Sequence, residues 1–179
     1  QAPATIALDG DHLEIEGLAL LLERFDPAEN QLLKAGALSL KGVFSPSVPS
    51  LLQLELAGLD LRAIDTWNQQ EAGLPAGRAD LQARFAGTLA APDLEAGLEI
   101  STEELGKIAG RFRGGSQEGD LQLEWLALSG DSLQLNVRLP WDLEGGLAHW
   151  ERGQLQARSS GFSLLPLLDQ LPELERLDG

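Results

Sequence analysis

The segment Leu133-Gln-Leu135-Asn-Val137-Arg-Leu139 alternates apolar and polar residues without a break. Successive side chains of a strand point to opposite faces, so strict alternation describes a half-buried strand and not a helix of period 3.6. Leu121-Gln-Leu123-Glu-Trp125, Leu52-Gln-Leu54-Glu-Leu56, Leu81-Gln-Ala83-Arg-Phe85 and Leu94-Glu-Ala96-Gly-Leu98-Glu-Ile100 read the same way. The shorter Leu13-Glu-Ile15 and Leu38-Ser-Leu40 belong to the set. These segments lie roughly 10–15 residues apart, mostly with Gly, Asp, Ser or Pro between them, a spacing for antiparallel meanders and not for a helix after every strand. The chain is expected to be mostly β.

Leucine carries this pattern where strand propensity favours valine and isoleucine, and burial of one face overrides that preference. Two stretches read better as short helices. One is Leu61-Arg-Ala-Ile64-Asp-Thr-Trp67; the other is Leu164–Leu177, with Ser163 as N-cap and Pro172 as its end or kink. The alternation also slips by one residue twice. Leu13-x-Ile15-x-Gly17 restarts at Leu18-x-Leu20-x-Leu22, and Leu121-x-Leu123-x-Trp125 restarts at Leu126-x-Leu128. A period of two changes face only through a bulge, which bends the sheet, or through a turn.

Gly58-Leu-Asp-Leu61-Arg-Ala-Ile64 is echoed by Gly161-Phe-Ser-Leu164-Leu-Pro-Leu167, which divides the chain into a unit over 58–160 and the start of another over 161–179. Long repeats of this kind suggest a quasi-linear architecture. A start at Gln1 and the absence of methionine lead to the expectation of a segment from a longer protein. No apolar stretch reaches the ~18–20 residues that span a bilayer as a helix.

Charge narrows the partners. Lys and Arg number 13 against 28 Asp and Glu, a net charge of −15, and the cations stand singly among acids. Phosphate binding requires clustered cations, so nucleic acid is not expected. Catalytic and metal-binding signals are poor. His12 and His149 have no paired ligand at metal spacing, and without cysteine there is no thiolate site. Asp9-Gly-Asp11 lacks the remaining ligands of a calcium loop and reads as a turn. Gly110-Arg-Phe-Arg-Gly-Gly115 has the look of a nucleic-acid box, but as one copy in an acidic chain it reads as a hairpin turn. No nucleophile elbow or phosphate loop occurs. The expectation is a protein without enzymatic activity, cofactor or metal. Trp67, Trp125, Trp141 and Trp150 read as core packing or as the rim of an apolar path.

The run from Gly77 through Gly87-Thr-Leu89-Ala-Ala-Pro92-Asp-Leu94 to Ile100 resembles the recurring element of the TamB/AsmA-like family, a strand, a Gly-Thr-Leu-x-x-Pro corner and a second strand. Gly119–Leu143 is similar to the hairpin that follows in that family, and 164–179 to its short helix. The resemblance covers most of 31–179. It implies a long curved antiparallel sheet forming a trough, or β-taco, with an apolar inside, in a periplasmic protein anchored at the inner membrane of a two-membrane bacterium. It implies phospholipid transport toward the outer membrane, with acyl chains as the partner and outer-membrane biogenesis as the outcome. An Omp85-type outer-membrane barrel is the implied protein partner.

On that reading the apolar side chains of the alternating strands line the groove: Leu38 and Leu40; Leu52, Leu54 and Leu56; Leu81 and Phe85; Leu94, Leu98 and Ile100. Leu121, Leu123 and Trp125 follow, then Leu133, Leu135, Val137 and Leu139. Other uses remain open. An alternating leucine face is commonly the core beneath a second sheet or helix, and Leu164–Leu177 would serve as a plug or an edge cover. The sheet edge would suit a scaffold that docks onto a barrel by strand addition. An acidic hydrolytic or carbohydrate-active β domain is the third alternative.

Overall fold

The computed structural model describes residues 4–26, 29–46, 48–68, 75–140 and 153–161. The strands are β1 (Thr5–Asp9), β2 (His12–Asp26), β3 (Gln31–Phe44), β4 (Ser50–Asp60) and β5 (Gly77–Gly87), then β6 (Pro92–Thr102), β7 (Gly106–Gly114), β8 (Glu118–Leu126), β9 (Ser132–Pro140) and β10 (Gln154–Ser160). One helix, α1 (Leu61–Asn68), stands between β4 and β5. The strands form a single open ten-stranded sheet in sequence order, every neighbouring pair antiparallel. The mostly-β expectation holds, and the arrangement is consistent with a curved trough.

The two phase slips resolve differently. In β2 the register with β3 shifts between Ile15 and Leu18, and Gly17 takes φ 69° there. This is a bulge, which returns the following leucines to the apolar face and bends the strand. Further shifts occur between Leu22 and Glu23 and, opposite β5, between Leu56 and Leu59. The slip after Trp125 is a turn. The Ala127 N–H donates to the Asp131 carbonyl at 2.9 Å, and the Gly130 N–H to the Ala127 carbonyl at 3.0 Å.

Short turns follow from local chemistry. Asp9 opposes His12, so Gly10 and Asp11 make a two-residue hairpin turn, as the Asp-Gly-Asp signal indicates. At the Gly-Thr-Leu-x-x-Pro corner Gly87 opposes Pro92, and Thr88 Oγ1 accepts the Ala91 N–H at 3.1 Å. In the β3–β4 loop, buried Ser50 Oγ accepts the Ser45 N–H at 2.7 Å and donates to the Ser45 carbonyl at 2.9 Å. Gly110–Gly115 is corrected. Its first five residues are the second half of β7, and the turn begins only where the Gly115 N–H donates to the Glu118 carbonyl at 2.9 Å. Glycines occupy the apolar-face positions of that strand, which hides its alternation.

α1 falls where the first helical signal lies. Asp60 is its N-cap: Oδ1 accepts the Arg62 N–H at 3.1 Å, and Oδ2 accepts Arg24 Nε of β2 at 2.9 Å. The helix packs through Leu61 and Ile64 onto Leu59, Ala79, Leu22, Leu56 and Ile100. Leu59 and Ala79 are thereby reduced to 8% and 5% exposure. Asp60→Ala removes cap and ion pair together and is expected to cost about 1–2 kcal/mol in urea unfolding. Asp60→Asn retains the capping oxygen and should lose less than about 1 kcal/mol. The second helix, over Leu164–Leu177, lies outside the described residues, as does most of the second copy of the echo. Gly161 repeats the left-handed backbone of Gly58, with φ 84° and 60°.

Candidate functional site

Residues directly opposite in an antiparallel ladder share a face, so the register shows how the apolar positions of different strands connect. Leu20 opposes Leu38, Leu38 opposes Leu56, Leu56 opposes Leu81 and Leu81 opposes Leu98. The row passes Gly110 and resumes at Leu123, Leu135 and Ala157. A second row joins Leu18, Leu40, Leu54, Ala83 and Ala96, and continues through Phe112, Leu121 and Val137 to Leu155. Flanking rows carry Leu52, Phe85, Leu94 and Leu139 on one side and Ala79, Ile100, Ile108, Trp125 and Leu133 on the other.

The register thus puts every one of the groove candidates on one face. All are half-buried except Leu133, which is buried. Four rows two residues apart make a strip about 20 Å wide, and the eight strand-to-strand steps from β2 to β10 make it about 38 Å long. Leu18, Leu20, Ile108 and Phe112 also stand on this face, outside the candidate set. The last two belong to β7, whose period-two pattern is Ile108-x-Gly110-x-Phe112-x-Gly114 once glycine is admitted as an apolar-face residue.

Little covers this face. Among the described residues α1 is the one element packed on it, and it closes a corner over β2 and β4–β6. Strands pack laterally on their sequence neighbours, with no second sheet above them among the described residues. The Trp125 indole N–H donates to the Leu105 carbonyl at 2.6 Å, which ties its ring to the β6–β7 turn at the rim. The side chain of Trp67, and Trp141 and Trp150, lie outside the described residues.

The opposite face is polar in the same register. Lys41, Gln53, Arg84, Glu95, Arg113, Asp120 and Arg138 form one row, with signs alternating from Arg84 onward. Arg84 lies 3.3 Å from Asp93 and 3.7 Å from Glu95, Arg113 lies 3.5 Å from Glu95, and Arg138 lies 2.9 Å from Asp120. The Asp120 carboxylate, by its hydrogen bond and its charge, raises the Arg138 pKa above its ordinary value, and Glu118 adds to this. Exposed pairs of this kind add little stability each.

Hollows of about 580 and 830 Å³ also lie on the polar side, framed by Lys41, Arg84 and Arg111 in the first and by Lys34, Asp60 and Arg78 in the second. Charged side chains frame both, so neither is suited to hydrocarbon, and the extended apolar strip is the stronger candidate. Among the described residues no group of His, Asp and Glu is placed to hold a metal ion, and no helix is long and apolar enough to cross a membrane. His12 opens β2 and is half-buried; His149 lies outside the described residues. No protein-family model, curated protein or solved structure matches the chain.

Proposed function

We propose that the sheet shelters phospholipid acyl chains along its apolar face while their headgroups stay in water, as part of a periplasmic lipid path that serves the outer membrane. The observation that supports this most is the continuity of the apolar rows across the strands on a face that α1 covers only at a corner. Exposing a two-chain lipid of about thirty methylenes costs roughly 20–25 kcal/mol at ~0.8 kcal/mol per methylene. A path between membranes therefore has to keep apolar contact at each step. Uniform leucine rows do so without a polar group that would hold the chain at one place. The resemblance to the TamB/AsmA-like family supports the same reading and the inner-membrane anchorage of the parent. It also supports an outer-membrane barrel as partner, for which the backbone of the end strands is the natural contact.

The test is a photo-reactive residue at Leu135, followed by mass spectrometry of whatever becomes attached after expression in a two-membrane bacterium. Phospholipid crosslinked from Leu135, and none from Asn136 on the other face, is the expected result. Equal labelling from both positions, or none from either, would sink the proposal.

A further inference from the structure

The segment Gly110-Arg-Phe-Arg-Gly-Gly115 has the look of a turn in the sequence, but most of it is a strand in the fold, and this changes where its arginines stand. With a period of two, Arg111 and Arg113 share one face of β7, and the register makes it the polar face. Arg111 opposes Gly97 of β6, and Arg113 opposes Glu95, which in turn opposes Arg84 of β5. Directly opposite residues lie roughly 5 Å apart and diagonal ones roughly 7–8 Å. Three arginines that stand apart in the sequence thereby border one glycine.

The fold does not account for that glycine. Both ladders of β6 run without a register shift, and the φ of Gly97 is outside the left-handed region, so neither bulge nor turn requires it. A Cβ there would meet nothing within 4 Å, so no neighbour requires it either. Glycine inside a strand costs stability relative to alanine, and where no bulge or packing calls for it, the remaining use is the close approach of a ligand. The bare position lies in the hollow of about 580 Å³ on the polar face, lined also by Arg84, Arg111, Arg113 and Gln82.

The nearby carboxylates leave these arginines available. Glu95 lies 3.7 Å from Arg84 and 3.5 Å from Arg113, beyond the roughly 2.7–2.9 Å of a charge-assisted hydrogen bond. Asp93 accepts from Arg84 at 3.3 Å, and among the described residues Arg111 has no ion pair. Guanidinium groups present their donors in a planar fork that matches phosphate oxygens. We infer that the polar face binds a phosphate group above Gly97, held by Arg84, Arg111 and Arg113. The inference is independent of what the apolar face holds, because the sheet lies between the two. Both a soluble phosphate ester and the headgroup of a lipid in a membrane offer this chemistry.

Calorimetric titration of the full chain with glycerol 3-phosphate, beside co-sedimentation with phosphatidylcholine vesicles containing phosphatidic acid, tests this and separates the two sources. Gly97→Leu fills the floor of the hollow without altering a charge. It should match the wild type in circular dichroism and thermal melting, yet bind at least about tenfold more weakly. Arg111→Gln should also weaken binding at least about tenfold. Lys107→Gln removes the same charge from the same face of β7, outside the hollow, and should change binding by less than about twofold. Binding of the ester with these losses identifies a soluble ligand, and binding of the vesicles alone with the same losses identifies a headgroup; either supports the site. Binding of neither probe overturns the inference. So does binding that Gly97→Leu leaves unchanged, or that Lys107→Gln weakens as much as Arg111→Gln.

Discussion

If the proposed function holds, replacing Leu123 and Leu135 together by glutamate is expected to abolish phospholipid retention and to leave the sheet folded. The two side chains oppose each other on β8 and β9 as the last two leucines of the longest leucine row, and both are half-buried. In the empty groove each carboxylate reaches water, so the strand pair tolerates it. Under an acyl chain the same carboxylates lose their hydration, at a cost of about 3 kcal/mol or more, which corresponds to at least a hundredfold loss of binding. The control is the pair on the opposite face, where Gln122 opposes Asn136. Gln122→Glu with Asn136→Glu also sets two acids opposite one another, yet should leave lipid content unchanged. Lipid measured by extraction and mass spectrometry, beside thermal melts of both double variants, decides the matter. Equal losses from the two faces would show that charge and not the apolar path is responsible.

Gly42→Ala is expected to be the most damaging methyl addition in the sheet. Gly42 has φ 132° and sits at the contact of β3 with β4. A Cβ there would run into the Leu51 carbonyl oxygen and lie 2.9 Å from the Leu51 carbonyl carbon and 3.0 Å from Leu52 Cα. These are backbone atoms of the paired strand, so relief requires the ladder to open. Strain and lost pairing together should remove about 3–5 kcal/mol of a typical 5–15 kcal/mol total. Gly17 is the comparison. Its φ is also positive, at 69°, but a Cβ there meets nothing within 4 Å. Gly17→Ala should therefore cost only the left-handed conformation, about 1–2 kcal/mol. Urea midpoints of the two variants measure the difference, and a Gly42→Ala loss no larger than that of Gly17→Ala would contradict the β3–β4 register.

Strands β4, β5, β6, β8 and β9 were legible because each has alternating apolar residues long enough to define a face. α1 was legible through the spacing of Leu61 and Ile64, although the sequence did not single out Asp60 and Arg24, which come together only across 36 residues. β7 was obscured by Gly110 and Gly114, which resemble turn residues and in the fold occupy apolar-face positions between larger neighbours. β1 and β10 carry too few apolar residues to stand out.

The alternation of leucine determined by itself that each strand has one apolar and one polar face, because that property belongs to the local geometry of the backbone. Whether those faces join was decided by tertiary structure. The bulge at Gly17 returns β2 to the common face, and pairing aligns Leu56, Leu81 and Leu98 across consecutive strands. The continuous apolar strip has the same origin: register and strand order are relations between segments, and no periodicity within one segment contains them.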